Sequence, residues 1–202
     1  IHVLPEDAPV GEDAIHYMQY DDEVIDFELT ANRGDLLSML GMAHEVGALY
    51  NRPVTYPENQ PNVLKENVND VMTIDVQTEN CPIYLGKIVK DVVIKESPEW
   101  MKERLMASGI RSINNVVDIS NYVMLEYGQP LHFFDQDRLG DKVIVRMANE
   151  DETLKTLDGQ ERTLKTSDIV IANDKEAVAL AGVMGGLSTE VEMDTKNIFI
   201  ES

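Results

Sequence analysis

The residue types best suited to chemistry gather in the run SINNVVDISNYVMLEYGQPLHFFD, Ser112 to Asp135. Asn114, Asp118 and Asn121 recur at helical spacing, which sets two carboxamides and a carboxylate on one face of a helix. Ile113, Val116, Val117, Ser120, Val123 and Met124 form a separate stripe on the same helix. Ser112 is placed to cap its start, while Gly128 tolerates positive φ and Pro130 cannot continue the helix, so together they end it. The chain then delivers His132 between Leu131 and Phe133, beside the same apolar, aromatic-edged corner. Such a set suits ligand contacts. The same residue types also serve as solvated surface or local caps, and a histidine beside phenylalanine can be plain packing.

The elements around this run follow from periodicity. Ile25, Phe27 and Leu29 alternate with Asp26 and Glu28, which predicts a half-buried strand. Asp35 can start a helix whose stripe is Leu36, Leu40, Ala43 and Val46, ending near Asn51 with Pro53 beyond; His44 beside it reads as structural. Residues 51–70, rich in Pro, Asn and Glu, read as a linker between a small module at 1–50 and a larger one at 71–202. Thr73 to Gln77 and Tyr84 to Ile94 are strand-like. Ser97-Pro98 begins a helix carrying Trp100, Met101 and Leu105 inward and closing at Gly109. After His132 the pattern turns to β: Val143 to Met147, a two-residue hairpin at Asp158-Gly159, Ile169 to Ala172, Ala177 to Ala181, and Ile198 to Ile200 followed by Glu201. The fold class expected is α+β, a mixed or antiparallel sheet with packed helices.

A net charge of −20 over 202 residues argues against an autonomous binder of phosphate backbone, which needs clustered Lys and Arg; it also suits simple solubility. No apolar run is long enough to span a membrane and no secretory start is present, so a soluble, cytoplasmic chain is expected. The lone Cys81 fits a reducing compartment. Starting at Ile1 and stopping just past a strand, the chain is expected to be a piece of a longer one whose second module is incomplete.

Other chemistries find little support. His2, His16, His44 and His132 are scattered without a second ligand at zinc spacing, so no metal site is expected. The GVMGG loop, Gly182 to Gly186, lacks the lysine and helix of a nucleotide-binding loop; its glycines mark either a tight turn or a close backbone approach. That leaves His132, this loop and Glu201, which line one pocket if the strands join in one sheet.

Four strings carry a resemblance: FELTANRGDLLSMLGMAHEVGALYNRPV from Phe27, NNVVDISNYVMLEYGQPLHFFD from Asn114, TLDGQERTL from Thr156 and VALAGVMGG from Val178. In this order they resemble the β chain of bacterial phenylalanine–tRNA ligase over nearly the whole chain. One departure is Ala31, where the family usually has proline before Asn-Arg. The resemblance implies a small N-terminal α/β module and a larger editing module. It implies hydrolysis of tyrosyl-tRNA(Phe) made in error, with an α chain in an α2β2 assembly and tRNA(Phe) as partners. Matched position by position, Glu201 is the carboxylate that accepts the tyrosine hydroxyl, His132 the editing-site histidine, and Gly185 a glycine leaving room for the aromatic ring. Gly182, Asn114 and Asn115 are further candidates for lining the pocket. His132 is the one of these whose ordinary pKa lies near neutrality. No cofactor is implied for these residues; ATP and magnesium belong to aminoacylation by the whole enzyme. The alternative is a non-catalytic module supporting the α chain and tRNA.

Overall fold

This computed structural model describes residues 3–4, 6–18 and 20–202, and opens with helices α1 (Ala14–Tyr17) and α2 (Met39–Tyr50). Strands β1 (Thr73–Val76) and β2 (Gly86–Val89) precede helices α3 (Glu99–Ala107) and α4 (Asn115–Tyr127). Then come β3 (His132–Asp135), the single-turn α5 (Gln136–Leu139) and β4 (Lys142–Met147). The remaining strands are β5 (Thr153–Lys155), β6 (Glu161–Thr163), β7 (Ile169–Ala172), β8 (Ala177–Leu180), β9 (Met184–Gly185) and β10 (Ile198–Glu201).

Three sheets result: a five-stranded one in the order β1-β4-β7-β8-β9, a three-stranded one in the order β2-β10-β3, and the β5-β6 hairpin. Only the β1-β4 pairing is parallel among these. The fold class is therefore α+β with mixed and antiparallel sheets, as the sequence predicts.

Side-chain parity in the small sheet decides what faces what. Phe134 lies opposite Phe199 and His132 opposite Glu201, and directly paired residues project to the same face. Phe134 and Phe199 are fully buried with Val143, Val145, Ile171 and Val178 of the large sheet, so that face looks inward. Burying each phenylalanine contributes about 1.5–3 kcal/mol. The opposite face packs Ile198, Phe133 and Ile200 against Val116 of α4 and Ile94.

Helix α4 ends as expected: Gly128 adopts φ +79 and its N–H reaches the Met124 carbonyl, after which the chain turns into β3. Its start differs. Asn114 is the cap, accepting from the Val116 and Val117 amides, because Ser112 instead donates to Asp118.

Other elements depart from expectation for physical reasons. Residues 25–29 are not a strand; no neighbour pairs with them among the described residues, and Ile25 and Phe27 are exposed. Helix α2 is capped by Ser38, which accepts from the Gly41 amide, while Asp35 lies in a preceding 3-10 turn and binds Arg33. Trp100 is 47% exposed rather than inward, its ring lying beside Arg104 and Tyr122, while Met101 and Leu105 are buried. The β5-β6 loop closes at Thr156 and Gln160, with the Gly159 amide bonded to the Thr156 carbonyl and Gly159 at φ +78. This is a type I turn with a left-handed glycine, a longer loop than the two-residue turn predicted.

Candidate functional site

The last residues of β10 and the first of β3 meet at one end of the interface between the two sheets. Glu201 is in register with His132 on one side and Gly86 on the other, so the carboxylate and the imidazole project from one inward face. Two aromatic residues continue that face, His132 lying edge-on to Phe134 with ring centroids 4.4 Å apart. The ring is thereby held against the core.

Gly185 of β9 comes to the same place from the large sheet. A Cβ built there stands 2.6 Å from His132 Nε2 and 3.1 Å from a Leu157 methyl. The room that glycine leaves is filled by the imidazole rather than standing open. The Gly185 carbonyl accepts from the Leu157 amide at 3.0 Å, which ties this strand to the β5-β6 loop. His132, Glu201 and Gly185 are thus the predicted residues that the fold brings together.

The other three go elsewhere. Asn114 caps α4, and Asn115 is consumed by two backbone groups, accepting from the Lys95 amide at 3.1 Å and donating to the Val93 carbonyl at 3.0 Å. Both belong to the helix on the opposite face of the small sheet. Gly182 sits in the β8-β9 turn at φ +68 with open space about it, a conformation that favours glycine. The set of Asn114, Asp118, Asn121 and His132 foreseen from spacing does not form, because Asn114 caps the helix and Asp118 is completely buried, accepting from Ser97, Ser112 and the Ile113 amide.

Sequence reasoning missed Tyr84. Its hydroxyl donates to Glu201 Oε2 at 2.9 Å across 117 residues of sequence. Tyr84 shares the alternation of Gly86 and Ile88, the one signal available beforehand; the pairing itself depends on the β2-β10 register.

Burial dominates the electrostatics. It pushes the His132 imidazole down to about 4, so this side chain is neutral throughout the neutral range rather than titrating there. It pushes the Glu201 carboxyl up, opposed by the Tyr84 hydrogen bond, and pushes the Tyr84 phenol up as well. Glu201 has no lysine or arginine partner, and His132 makes no side-chain hydrogen bond, among the described residues. The site is a neutral imidazole facing a covered carboxylate. Such a pair can read a hydroxyl and orient a water.

Two surface clefts lie apart from it. One of about 990 Å³ is lined by His16, Tyr17, Tyr20, Trp100 and Arg104, and one of about 430 Å³ by Asn114 and residues 191–194; neither includes His132 or Glu201. Among the described residues no three His, Cys, Asp or Glu side chains gather to hold a metal ion, and no helix is long and apolar enough to cross a membrane.

Residues 80–202 match the family described as the B3/4 domain. Over 203 aligned positions the chain is 53% identical to the phenylalanine–tRNA ligase beta subunits of Staphylococcus aureus strains Mu50 and N315, covering 100% of this chain and 25% of each relative. It thus spans about a quarter of the length of these curated relatives. Its fold is similar, at TM-score 0.50 and 17% identity, to the crystal structure of an N-terminal fragment of the phenylalanyl-tRNA synthetase beta-subunit from Pyrococcus horikoshii, over 84% of this chain and 52% of that one.

Proposed function

The chain belongs to the B3/4 domain family, and from that premise we propose that it carries the proofreading site of a phenylalanine–tRNA ligase β chain, which hydrolyses tyrosyl-tRNA(Phe). The observation carrying this reading is the shared inward face of Glu201 and His132, with a covered carboxylate that has one oxygen to spare. A pocket shaped for phenylalanine rejects an added hydroxyl by only ~10², whereas a site that must hydrogen-bond the hydroxyl rejects its absence by roughly 10⁴–10⁵. Glu201 fills the second need. Its ionised carboxylate accepts from a phenol and leaves a phenylalanyl ring facing an unpaired charge.

Hydrolysis joins a water oxygen to the aminoacyl carbonyl carbon and breaks the ester bond to the terminal ribose, whose oxygen takes the proton water gives up. The ester is labile, so positioning accounts for much of the rate. His132, neutral at working pH, orients the water or the ribose hydroxyl through ring nitrogens that no other described side chain engages. Gly185 seats that ring, while Asn114 caps α4 and Asn115 ties the start of that helix to the backbone of Val93 and Lys95. On this reading the partners are an α chain, in an α2β2 assembly, and tRNA(Phe). On the same reading, aminoacylation with ATP and magnesium is the work of the α chain.

The alternative, a scaffold supporting the α chain and tRNA, draws on the apolar side chains exposed over residues 24–50, including Ile25, Phe27, Leu37 and Leu49. Deacylation of tyrosyl- and phenylalanyl-tRNA(Phe) by the full-length parent enzyme, wild type against Glu201→Ala, separates the two. Collapse of the tyrosyl preference supports proofreading; esters handled as by wild type favour the scaffold.

A further inference from the structure

Tyr84 supplies the one hydrogen bond that a described residue donates to the Glu201 carboxylate. The β2-β10 ladder runs past Gly86, with Leu85 and Ser202 exchanging backbone hydrogen bonds at 2.9 and 3.0 Å, so the chain entering β2 is held beside the end of β10. Tyr84 packs on the main core cluster, and its hydroxyl reaches only Glu201 Oε2. No described residue donates to Oε1. The carboxylate is half satisfied, in a place where burial penalises its charge.

We propose that Tyr84 is a positioning residue for hydroxyl recognition, fixing Glu201 through Oε2 so that Oε1 is presented to the hydroxyl of a tyrosyl ester. The inference rests on the proofreading reading and deepens it. A free glutamate side chain samples several rotamers, and a carboxylate that can turn away reads nothing. The tyrosine donor fixes its direction. The same hydrogen bond favours the ionised form, which can only accept; a protonated carboxyl would donate as well and would face a phenylalanyl ring at less cost.

The ionisable groups facing Glu201 are few. Tyr84 comes from the β2 side and His132 from β3; Gly86 and Gly185 present no side chain, and Cys81 beside Tyr84 points its Sγ at the Ile83 carbonyl, 3.4 Å away. Burial keeps both Tyr84 and His132 neutral at neutral pH. Neither therefore changes charge between about pH 6 and 8, so a pH dependence of selectivity there is not theirs.

The test uses Tyr84→Phe and Glu201→Ala in the full-length parent enzyme, with the ratio of kcat/KM for tyrosyl- over phenylalanyl-tRNA(Phe) measured across that pH range. Tyr84→Phe keeps the ring and its packing, and removes one donor. The expected ratio falls by roughly ten- to a hundredfold, the scale of a hydrogen bond to a charged group, and its pH profile is displaced to higher pH, because the donor that favours ionised Glu201 is gone. A merely structural tyrosine would not move the pH profile of that ratio. If Glu201→Ala collapses the ratio while Tyr84→Phe follows wild type at every pH, the role of Tyr84 is overturned and hydroxyl reading by Glu201 survives. If neither variant alters the ratio, the proofreading reading fails and this inference with it. Should Tyr84→Phe fail to fold, fluorotyrosine introduced at position 84 alone keeps the ring and strengthens the donor; a pH profile of the ratio displaced to lower pH supports the proposal, and an unmoved profile overturns it.

Discussion

Two carboxylates lie on either side of the small sheet, and they differ in how completely they are used. Asp118, on the helix covering one face, is fully buried and takes hydrogen bonds from Ser97 at 2.5 Å, Ser112 at 2.6 Å and the Ile113 amide at 2.9 Å. Glu201, on the strand facing the other way, takes one, from Tyr84. Both carboxylates are covered, but only one has acceptor capacity to spare. A saturated carboxylate ties the chain entering α4 to the loop before α3 and has nothing left for a ligand; an undersaturated one in a covered place is where a ligand donor fits.

The comparison breaks first on stability. Asp118→Ala leaves two hydroxyls and a backbone amide facing a hole, so a loss of about 3 kcal/mol or more is expected, read as a fall in denaturation midpoint. The tyrosyl-to-phenylalanyl hydrolysis ratio of the folded fraction should stay put; if it falls with Asp118 removed, the division between scaffold and reader is wrong.

Acid gives the next largest effect. The unfolded chain protonates His132 near 6.5 and the folded chain only at about 4, so the unfolded state binds more protons between those values. Stability therefore rises with pH across that window, by up to about 3 kcal/mol, and this contribution is complete above it. Glu201 works in the opposite sense: its raised folded pKa means the folded state still holds a proton that the unfolded chain has released, so stability falls as pH rises through that range. In His132→Gln the first of these contributions is lost and the second is kept. Urea midpoints taken from pH 4 to 7 in wild type and variant check this, and superimposable curves would contradict a desolvated, neutral His132.

Much of the fold is legible in the residues because local rules suffice there. Gly128 and Pro130 end α4 wherever it packs, and Ile169 to Ala172 is apolar enough to be a buried strand in any β context. Other elements depend on partners that local pattern does not name. Alternation at Ile25, Phe27 and Leu29 is a strand pattern, but a strand needs a neighbour, and none pairs with it among the described residues. Asn114 and Asn115 have the chemistry of ligand contacts, yet backbone donors and acceptors nearby claim both. Resemblance picked out His132, Glu201 and Gly185. Tyr84 escaped because its meaning lies in a register between strands 117 residues apart.

Removing only the charge sharpens the comparison further. Glu201→Gln preserves shape and still accepts from Tyr84, and it relieves the burial penalty, so stability should hold or rise slightly. Selectivity should nonetheless fall by about tenfold, since a hydrogen bond to a charged group exceeds a neutral one by roughly 1.5 kcal/mol. A variant both less stable and fully selective would mean that Glu201 is structural, like Asp118.

The smallest effect concerns how the imidazole is seated. Gly185→Ala puts a methyl where the His132 ring lies, against a residue that is itself backed by Phe134. Something must shift, at a cost of about 1–3 kcal/mol as in other overpacked interiors. The ring is the movable member, because the Gly185 carbonyl is held by the Leu157 amide and its strand is paired to β8. A displaced imidazole no longer orients water, but Glu201 and Tyr84, one strand further away, keep their geometry. Gly185→Ala should therefore lower kcat for tyrosyl ester hydrolysis several-fold and leave KM nearly unchanged, whereas Glu201 variants act on the choice between esters. A rise in KM with kcat preserved would move Gly185 from seating the histidine to lining the aromatic pocket.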